Sequence, residues 1–443
     1  MTAKLSLPQN STMLKDNFIY GVATSSFQIE GGAKTRLPCI WDTFCNTPNK
    51  VVDGSHGLIA CDHYHLWKED IALIESLGVD AYRLSISWPR VMTQSGTLNP
   101  DGVNFYINIL DELKSKNIKA FVTLYHWDLP QHLEDKGGWL NRETAYKFQD
   151  YVNLIIQAFG NRVYSYATLN EPFCCSFLGY EIGIHAPGKV GEEYGRKAAH
   201  HLLLAHGLAM KVLAKNSPNT KNGIVLNFTP CYPASDSPAD KVASDFADDY
   251  FNQWYIKPIF DGAYPNILAQ LPADHHPEIQ EGDMEIISHP IDFLGINFYT
   301  RAIYKADSEA RFVQIPPPEP RTDIGWEIYP KAFSELLVSL NEKYTLPPIY
   351  ITENGAATDD KLIDGVVNDN VRIEYYQQHL NAVNDAIEQG VNIKGYFAWS
   401  LLDNFEWAEG YLKRFGIVYV DYESQVRTIK NSGHAYKALI SNR

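Results

Sequence analysis

The sequence predicts an α/β fold: a single closed (β/α)8 barrel of the TIM type, residues 1–443, with elaborated loops at its C-terminal face. Three observations carry that expectation. About eight short runs rich in β-branched and aromatic residues recur along the chain, most of them apolar on both faces as parallel strands covered by helices must be. Stretches with helical apolar spacing separate them. No Gly- or Ser-rich linker breaks the rhythm, so the 443 residues, which on length alone favour two or three domains, read as one catalytic barrel domain.

In chain order the strands are expected at 18–25 (FIYGVATS), 79–87 (VDAYRLSIS), 118–126 (IKAFVTLYH), 163–170 (VYSYATLN), 222–228 (NGIVLNF), 291–299 (IDFLGINFY), 348–353 (PIYITE) and 393–401 (IKGYFAWSL). Helices are expected over 63–78, 104–117 and 142–160. The seventh unit is the most informative. Its run, PPIYITENG, stops on Glu353 ahead of Asn-Gly, the strongest short hairpin signal. Residues 356–369 nevertheless show no strand alternation and lead into a helical pattern, so Asn354-Gly355 reads as the turn out of the barrel into a loop. The least regular insertion, 305–326, carries a proline cluster from Pro316 to Pro320 and reads as a loop.

Bulk composition narrows the partners. With 45% apolar and 21% charged residues, a large core is expected and disorder is not. The 13% aromatic content supplies flat faces against which the C–H surface of a sugar packs. A net charge of −15, without a run of five like charges, argues against nucleic acid and anionic membranes and favours a small neutral substrate. The first residues, MTAKLSLPQNSTMLKDNF, contain no continuous apolar core, and no run long enough to span a bilayer follows, so a cytoplasmic protein is expected. The six cysteines form no Cys-x-x-Cys pair and read as free thiols.

A barrel concentrates function at the C-terminal ends of its strands. Polar and aromatic residues collect there: Ser25, Ser26 and Gln28 after the first strand, Arg83 within the second, His126 at the end of the third and Asn170-Glu171 at the end of the fourth. Asn227, Asn297 and Tyr299, Glu353, and then Trp399 with Asp403, Glu406 and Trp407 follow on the remaining strands. Glu171 and Glu353 are the two glutamates placed directly at the rim, on strands four and seven, where their side chains can converge across the mouth. Each alone reads equally well as a structural acid in a salt bridge. Together they form the minimum machinery for cleaving a glycosidic bond, one carboxyl to protonate the leaving oxygen and one to attack the anomeric carbon, with no metal or organic cofactor.

Several separated motifs, in order and nearly end to end, resemble glycoside hydrolase family 1, the β-glucosidases and their relatives: FIYGVATSSFQIEGG (18–32), TLNEP, ITENG and WSLLDNFEWAEGYLKRFGIVYVD (399–421). The resemblance implies Glu171 as general acid/base and Glu353 as nucleophile, retention through a covalent glycosyl-enzyme, and carboxyls about 5–5.5 Å apart. It implies that Arg83 and Tyr299 keep Glu353 charged. It also implies a hydrogen-bonding ring of Gln28, His126, Asn170, Glu406 and Trp407 around the first sugar, with Trp399 as platform and Asn297 in support. Implied too are polysaccharide degradation as the metabolic setting, and β-D-glucosyl, galactosyl or fucosyl residues as the glycone. Oligomeric state is not readable.

Departures sharpen the picture. Family members often carry Trp after Asn-Glu-Pro, whereas this chain has Phe173 followed by Cys174-Cys175, which alters the aglycone side. A 6-phospho-glycosidase is the first alternative; that branch usually has Ser at Glu406 and Tyr at Phe415, and a carboxylate at Glu406 repels phosphate, although Lys413 matches its lysine. A non-catalytic sugar-binding barrel is the second, and such proteins typically lack one of the two carboxyls. His63 and His65, at i and i+2, do not share a helix face and are not read as metal ligands. His200-His201 and His275-His276 read as surface residues.

Overall fold

Eight parallel strands close on themselves in the computed structural model, which describes residues 4–443. They are β1 (Ile19–Ala23), β2 (Ala81–Ser85), β3 (Lys119–Thr123), β4 (Ser165–Asn170), β5 (Lys221–Phe228), β6 (Phe293–Phe298), β7 (Ile349–Asn354) and β8 (Ile393–Trp399). Each strand lies beside its neighbours in sequence, and β8 pairs in register with β1 from Gly395 opposite Ile19 to Trp399 opposite Ala23. All eight runs read from the sequence are therefore barrel strands.

Two apolar layers explain why the strands are buried on both faces. Inside the barrel, small residues such as Ala81 and Ala167 leave room for Phe121, Phe293, Tyr350 and Phe397, which fill the bottom of the axis with Phe121 and Phe397 4.9 Å apart. Outside, the helices α1 (His63–Leu77), α2 (Pro100–Ser115), α3 (Glu143–Phe159), α4 (Glu192–Asn216), α6 (Trp254–Asp261), α7 (Pro330–Lys343), α8 (Asn370–Glu388) and α9 (Asn431–Ser441) surround the barrel, while α5 (Pro238–Asp248) packs on a small accessory sheet that includes Ala302–Asp307. The plugged axis leaves only the C-terminal mouth open to a ligand.

Four local expectations are corrected. Residues 362–367 form a small antiparallel hairpin, Leu362–Ile363 against Val366–Val367, around Asp364-Gly365, where no strand was expected. Asn354 does not make the turn after Glu353. It is the last residue of β7, fully buried, donating to the Phe298 carbonyl at 2.7 Å and accepting from Tyr396 Oη at 2.6 Å. Part of the insertion at 305–326 is sheet: Arg311–Gln314 pairs antiparallel with Ala302–Asp307, which pairs with Cys231–Pro233. His200 and His201 are buried, because α4 is packed along most of its length and each ring finds a partner: His200 bonds Tyr264 and Asp283 at 2.9 Å, and His201 the Trp139 carbonyl at 2.8 Å. His276, by contrast, is exposed.

Candidate active site

The strand ends around the mouth share one cavity of about 920 Å³. Glu171, Glu353, His126, Asn297, Tyr299, Trp399, Glu406, Trp407 and Phe415 all line it. Arg83, Asn170 and Gln28 stand directly behind that wall, each almost fully buried. Asp403, which the sequence also placed at the rim, is absorbed elsewhere. Its carboxylate binds Lys430 at 2.6 Å and Arg414 at 2.7 Å beneath the loop that carries Glu406.

Hydrogen bonds set the geometry of the carboxyls. Arg83, in the middle of β2, donates to Glu353 Oε1 at 2.6 Å and to Asn170 Oδ1 at 2.7 Å. Tyr299 Oη donates to the other oxygen of Glu353 at 2.5 Å. Glu353 thus faces two donors, an arrangement suited to a carboxylate. Asn297 is oriented by Thr352, whose hydroxyl donates to its Oδ1 at 2.6 Å, so its amide N–H donates to Glu171 Oε1 at 2.5 Å and to Asn170 Oδ1 at 3.1 Å. Asn170 is therefore the hub between the two carboxyls, and its remaining N–H points to His126 Nε2 at 3.1 Å. That bond makes Nε2 an acceptor and places the ring proton on Nδ1, which is buried without a protein partner.

Glu171 itself sits just past β4 with a φ of 47°, a left-handed conformation rare for a residue with a side chain and one that turns it into the mouth. Burial, and then the charge of Glu353, push its carboxyl up to about 7. Burial and the same neighbour push Glu406 up to about 8. Burial and the Arg83 charge hold His126 well below its usual range, so the imidazole is neutral. Tyr299 is pushed far up by burial, Glu353 and Glu171, and stays a phenol donor. The two mouth carboxyls thus differ in surroundings: one is matched by a guanidinium, the other is buried beside a like charge.

Aromatic rings build the rest of the wall. Trp399 lies stacked with His126 at 6.1 Å, and Trp407 packs against Trp127 at 4.5 Å and Trp41 at 4.6 Å. Gln28 accepts from Ser25 at 2.6 Å and donates to the Phe405 carbonyl at 2.9 Å and Glu406 at 3.4 Å, holding the Glu406 loop against β1. Lys413 is tied to Asp323, whose carbonyl it meets at 2.7 Å, and does not line the cavity. Sequence reasoning missed one group in contact with a mouth carboxyl: Cys174 Sγ donates to Glu171 Oε2 at 3.0 Å. The signal was their i, i+3 spacing, legible only once a helical turn is known to start at Glu171.

A closed (β/α)8 barrel with paired, unequally placed carboxyls above an aromatic floor defines the glycosidase class of barrels. Comparison with known proteins narrows the class: residues 10–443 match the model of Glycosyl hydrolase family 1, and the chain belongs to that family. It is 45% identical to a beta-glucosidase of an Agrobacterium species over 96% of this chain and 95% of that one. It is likewise 45% identical to Beta-glucosidase A of Thermotoga maritima, over 98% and 99% of the two chains. The solved structure of a beta-glucosidase from Thermotoga maritima in complex with deoxynojirimycin superposes with a TM-score of 0.94 at 44% identity, covering 97% of this chain and 98% of that one.

Proposed function

We propose that this chain is a retaining β-glucosidase, releasing terminal β-D-glucosyl residues from small glycosides and oligosaccharides, with galactosyl and fucosyl residues as further glycones. The observation that carries the reading is the asymmetry of the carboxyls: Glu353 between Arg83 and Tyr299, Glu171 buried and raised to about 7. The Glu353 carboxylate attacks the anomeric carbon while Glu171 gives its proton to the glycosidic oxygen, and the aglycone leaves as an alcohol. Glu171, now a carboxylate, then takes a proton from water as that water attacks the glycosyl ester, and the sugar departs with its configuration retained.

His126, Glu406 and Trp407 hydrogen-bond the glycone over the Trp399 platform, and Gln28 and Asn170 complete that ring from immediately behind. Arg83, Asn297 and Phe415 support it. Unphosphorylated sugars are favoured because two cations near the mouth are committed, Arg301 to Glu327 at 2.8 Å and Lys413 to Asp323. We read residues 1–443 as one catalytic domain; six free cysteines suit a reducing, cytoplasmic setting, and no helix among the described residues is long and apolar enough to cross a membrane.

Replacing the two carboxyls separately tests the assignment. Glu353→Gln is expected to lose at least about 10³-fold in turnover of an activated aryl β-glucoside; near-normal turnover would exclude its role. Glu171→Ala is expected to fail on poor leaving groups and to recover on activated ones when azide supplies the second nucleophile. Absence of that rescue would count against Glu171.

A further inference from the structure

Beside α3 and α4, a second cleft of about 400 Å³ shares no lining residue with the mouth cavity. Lys136 enters it from the turn before α3, Arg142 from the start of α3 and Lys197 from the second turn of α4. Glu278 is the acid that faces them. A local excess of positive charge in a chain of net charge −15 sets this cleft apart from the molecule as a whole.

The three cations are not equally committed. Asp283 takes both Nη groups of Arg142, at 2.5 and 2.9 Å, and is itself bound by His200 at 2.9 Å. Lys197 meets Glu278 at 3.1 Å, but that carboxylate side chain is 74% exposed, and exposed pairs contribute little. Lys136, also exposed, makes no ion pair among the described residues. Two ammonium groups are thus available to a negative group from outside.

His201 brings the opposite polarity. It lies four residues beyond Lys197 on the same face of α4, and only 3% of it is exposed. Its Nδ1–H donates to the Trp139 carbonyl at 2.8 Å, and burial, with the charges of Lys197 and Arg142, holds the ring down to about 4. Nε2 is therefore an unprotonated acceptor, without a partner among the described residues, on a ring that lines the cleft. An anion that has no hydroxyl brings only acceptors to it, whereas a hydroxyl donates.

We infer that this cleft is a binding site for a small hydroxylated anion, a sugar phosphate or sugar acid, separate from the mouth cavity. Lys136 and Lys197 take the anionic group, Lys197 exchanging Glu278 for it, and a hydroxyl donates to His201 Nε2. The inference does not depend on the β-glucosidase reading of the mouth.

Isothermal titration calorimetry at pH 7.5 tests it, with glucose 6-phosphate and glucuronate as probes and glucose and sulfate as partial ligands that lack the charge or the hydroxyl. Saturating deoxynojirimycin keeps the mouth out of the reading, because that cationic sugar analogue is drawn to the mouth carboxyls and repelled by the cleft. At least one of the two sugar acids is expected to bind one to one, at least about tenfold tighter than glucose or sulfate. Lys136→Glu and Lys197→Glu, both at positions open to solvent, are each expected to weaken that binding at least about tenfold, and Lys331→Glu on α7 to leave it unchanged. His201→Asn, which keeps a donor for the Trp139 carbonyl and removes Nε2, is expected to bring the sugar acid down to the level of sulfate. No binding of either sugar acid, binding that survives both lysine changes, or sulfate bound as tightly as the sugar acids overturns the inference.

Discussion

Glu171 is a buried acid whose usual value of 4.5 is lifted to about 7, and that shift makes pH-dependent claims at the residue scale. In the role of proton donor proposed for it Glu171 must be protonated, so kcat/KM for a poor-leaving-group substrate is expected to fall as pH rises above about 7. Cys174 donates to its carboxylate and thereby favours the ionised form. Cys174→Val is expected to move the falling limb up by about half a pH unit and Cys174→Ser to leave it nearly in place; an unmoved limb in the valine variant would show the thiol contact to be inert. Stability carries the same sign. A carboxyl raised on folding is harmless while protonated, at and below its unfolded value, and costs stability as pH rises through the folded one. Glu171→Gln is therefore expected to match wild-type thermal stability near pH 4.5 and to exceed it at pH 8.5, by on the order of 3 kcal/mol.

The last residues of β7 show what an element adds to a motif. From the sequence, Ile-Thr-Glu-Asn-Gly says that a strand ends on an acid, and the Asn-Gly pair suggests a turn. In the folded barrel Asn354 is still strand. Its amide ties β6, β8 and Tyr375 of α8 together directly behind Glu353. Gly355 has an ordinary backbone and is required for closeness, since a Cβ there would collide with the carbonyl oxygen of Trp399. Gly355→Ala is expected to lower stability by about 1–3 kcal/mol, as overpacking does, and to reduce turnover more than substrate affinity, because it pushes the strand that carries Glu353, the proposed nucleophile, away from Trp399. Equal chemical denaturation midpoints in wild type and variant would refute the packing account. The Asp364-Gly365 hairpin escaped notice for a related reason: two-residue strands carry too few side chains for alternation to register.

Across the whole molecule, a buried charge cluster joins the C-terminal segment to the barrel mouth. Lys430, at the start of α9, binds Asp360 at 2.5 Å and Asp403 at 2.6 Å, and Arg372 of α8 binds Asp360 at 2.7 Å and also Asp369. These groups come from three separate loops and one helix, and all are almost fully excluded from water. Removing one partner strands the others, so Lys430→Met is expected to cost about 3–5 kcal/mol. Lys331→Ala, which breaks the exposed pair with Glu335, is expected to cost less than about 1 kcal/mol. Comparing the two by denaturant melts checks that the cluster, and not charge in general, holds the Glu406 loop in place.

The sequence by itself determined the barrel and its order of strands, because a parallel strand buried on both faces leaves an apolar run that survives any detail of packing. It also determined which two glutamates stand at the rim, since strand ends can be counted along the chain. Only the tertiary structure decided how each one is surrounded. Arg83 and Tyr299 stand at Glu353 as the family resemblance implied, but Asn297 reaches Glu171 from β6 and Cys174 reaches it from the turn that follows, pairings the sequence did not show. The same holds for Asp403, drawn into the cluster around Lys430, and for His200 and His201, buried by the packing of α4. Patterning fixes which face of an element is apolar, but a partner more than a hundred residues away is fixed by closure of the barrel, where hydrogen bonding and burial act on side chains brought together from the whole chain.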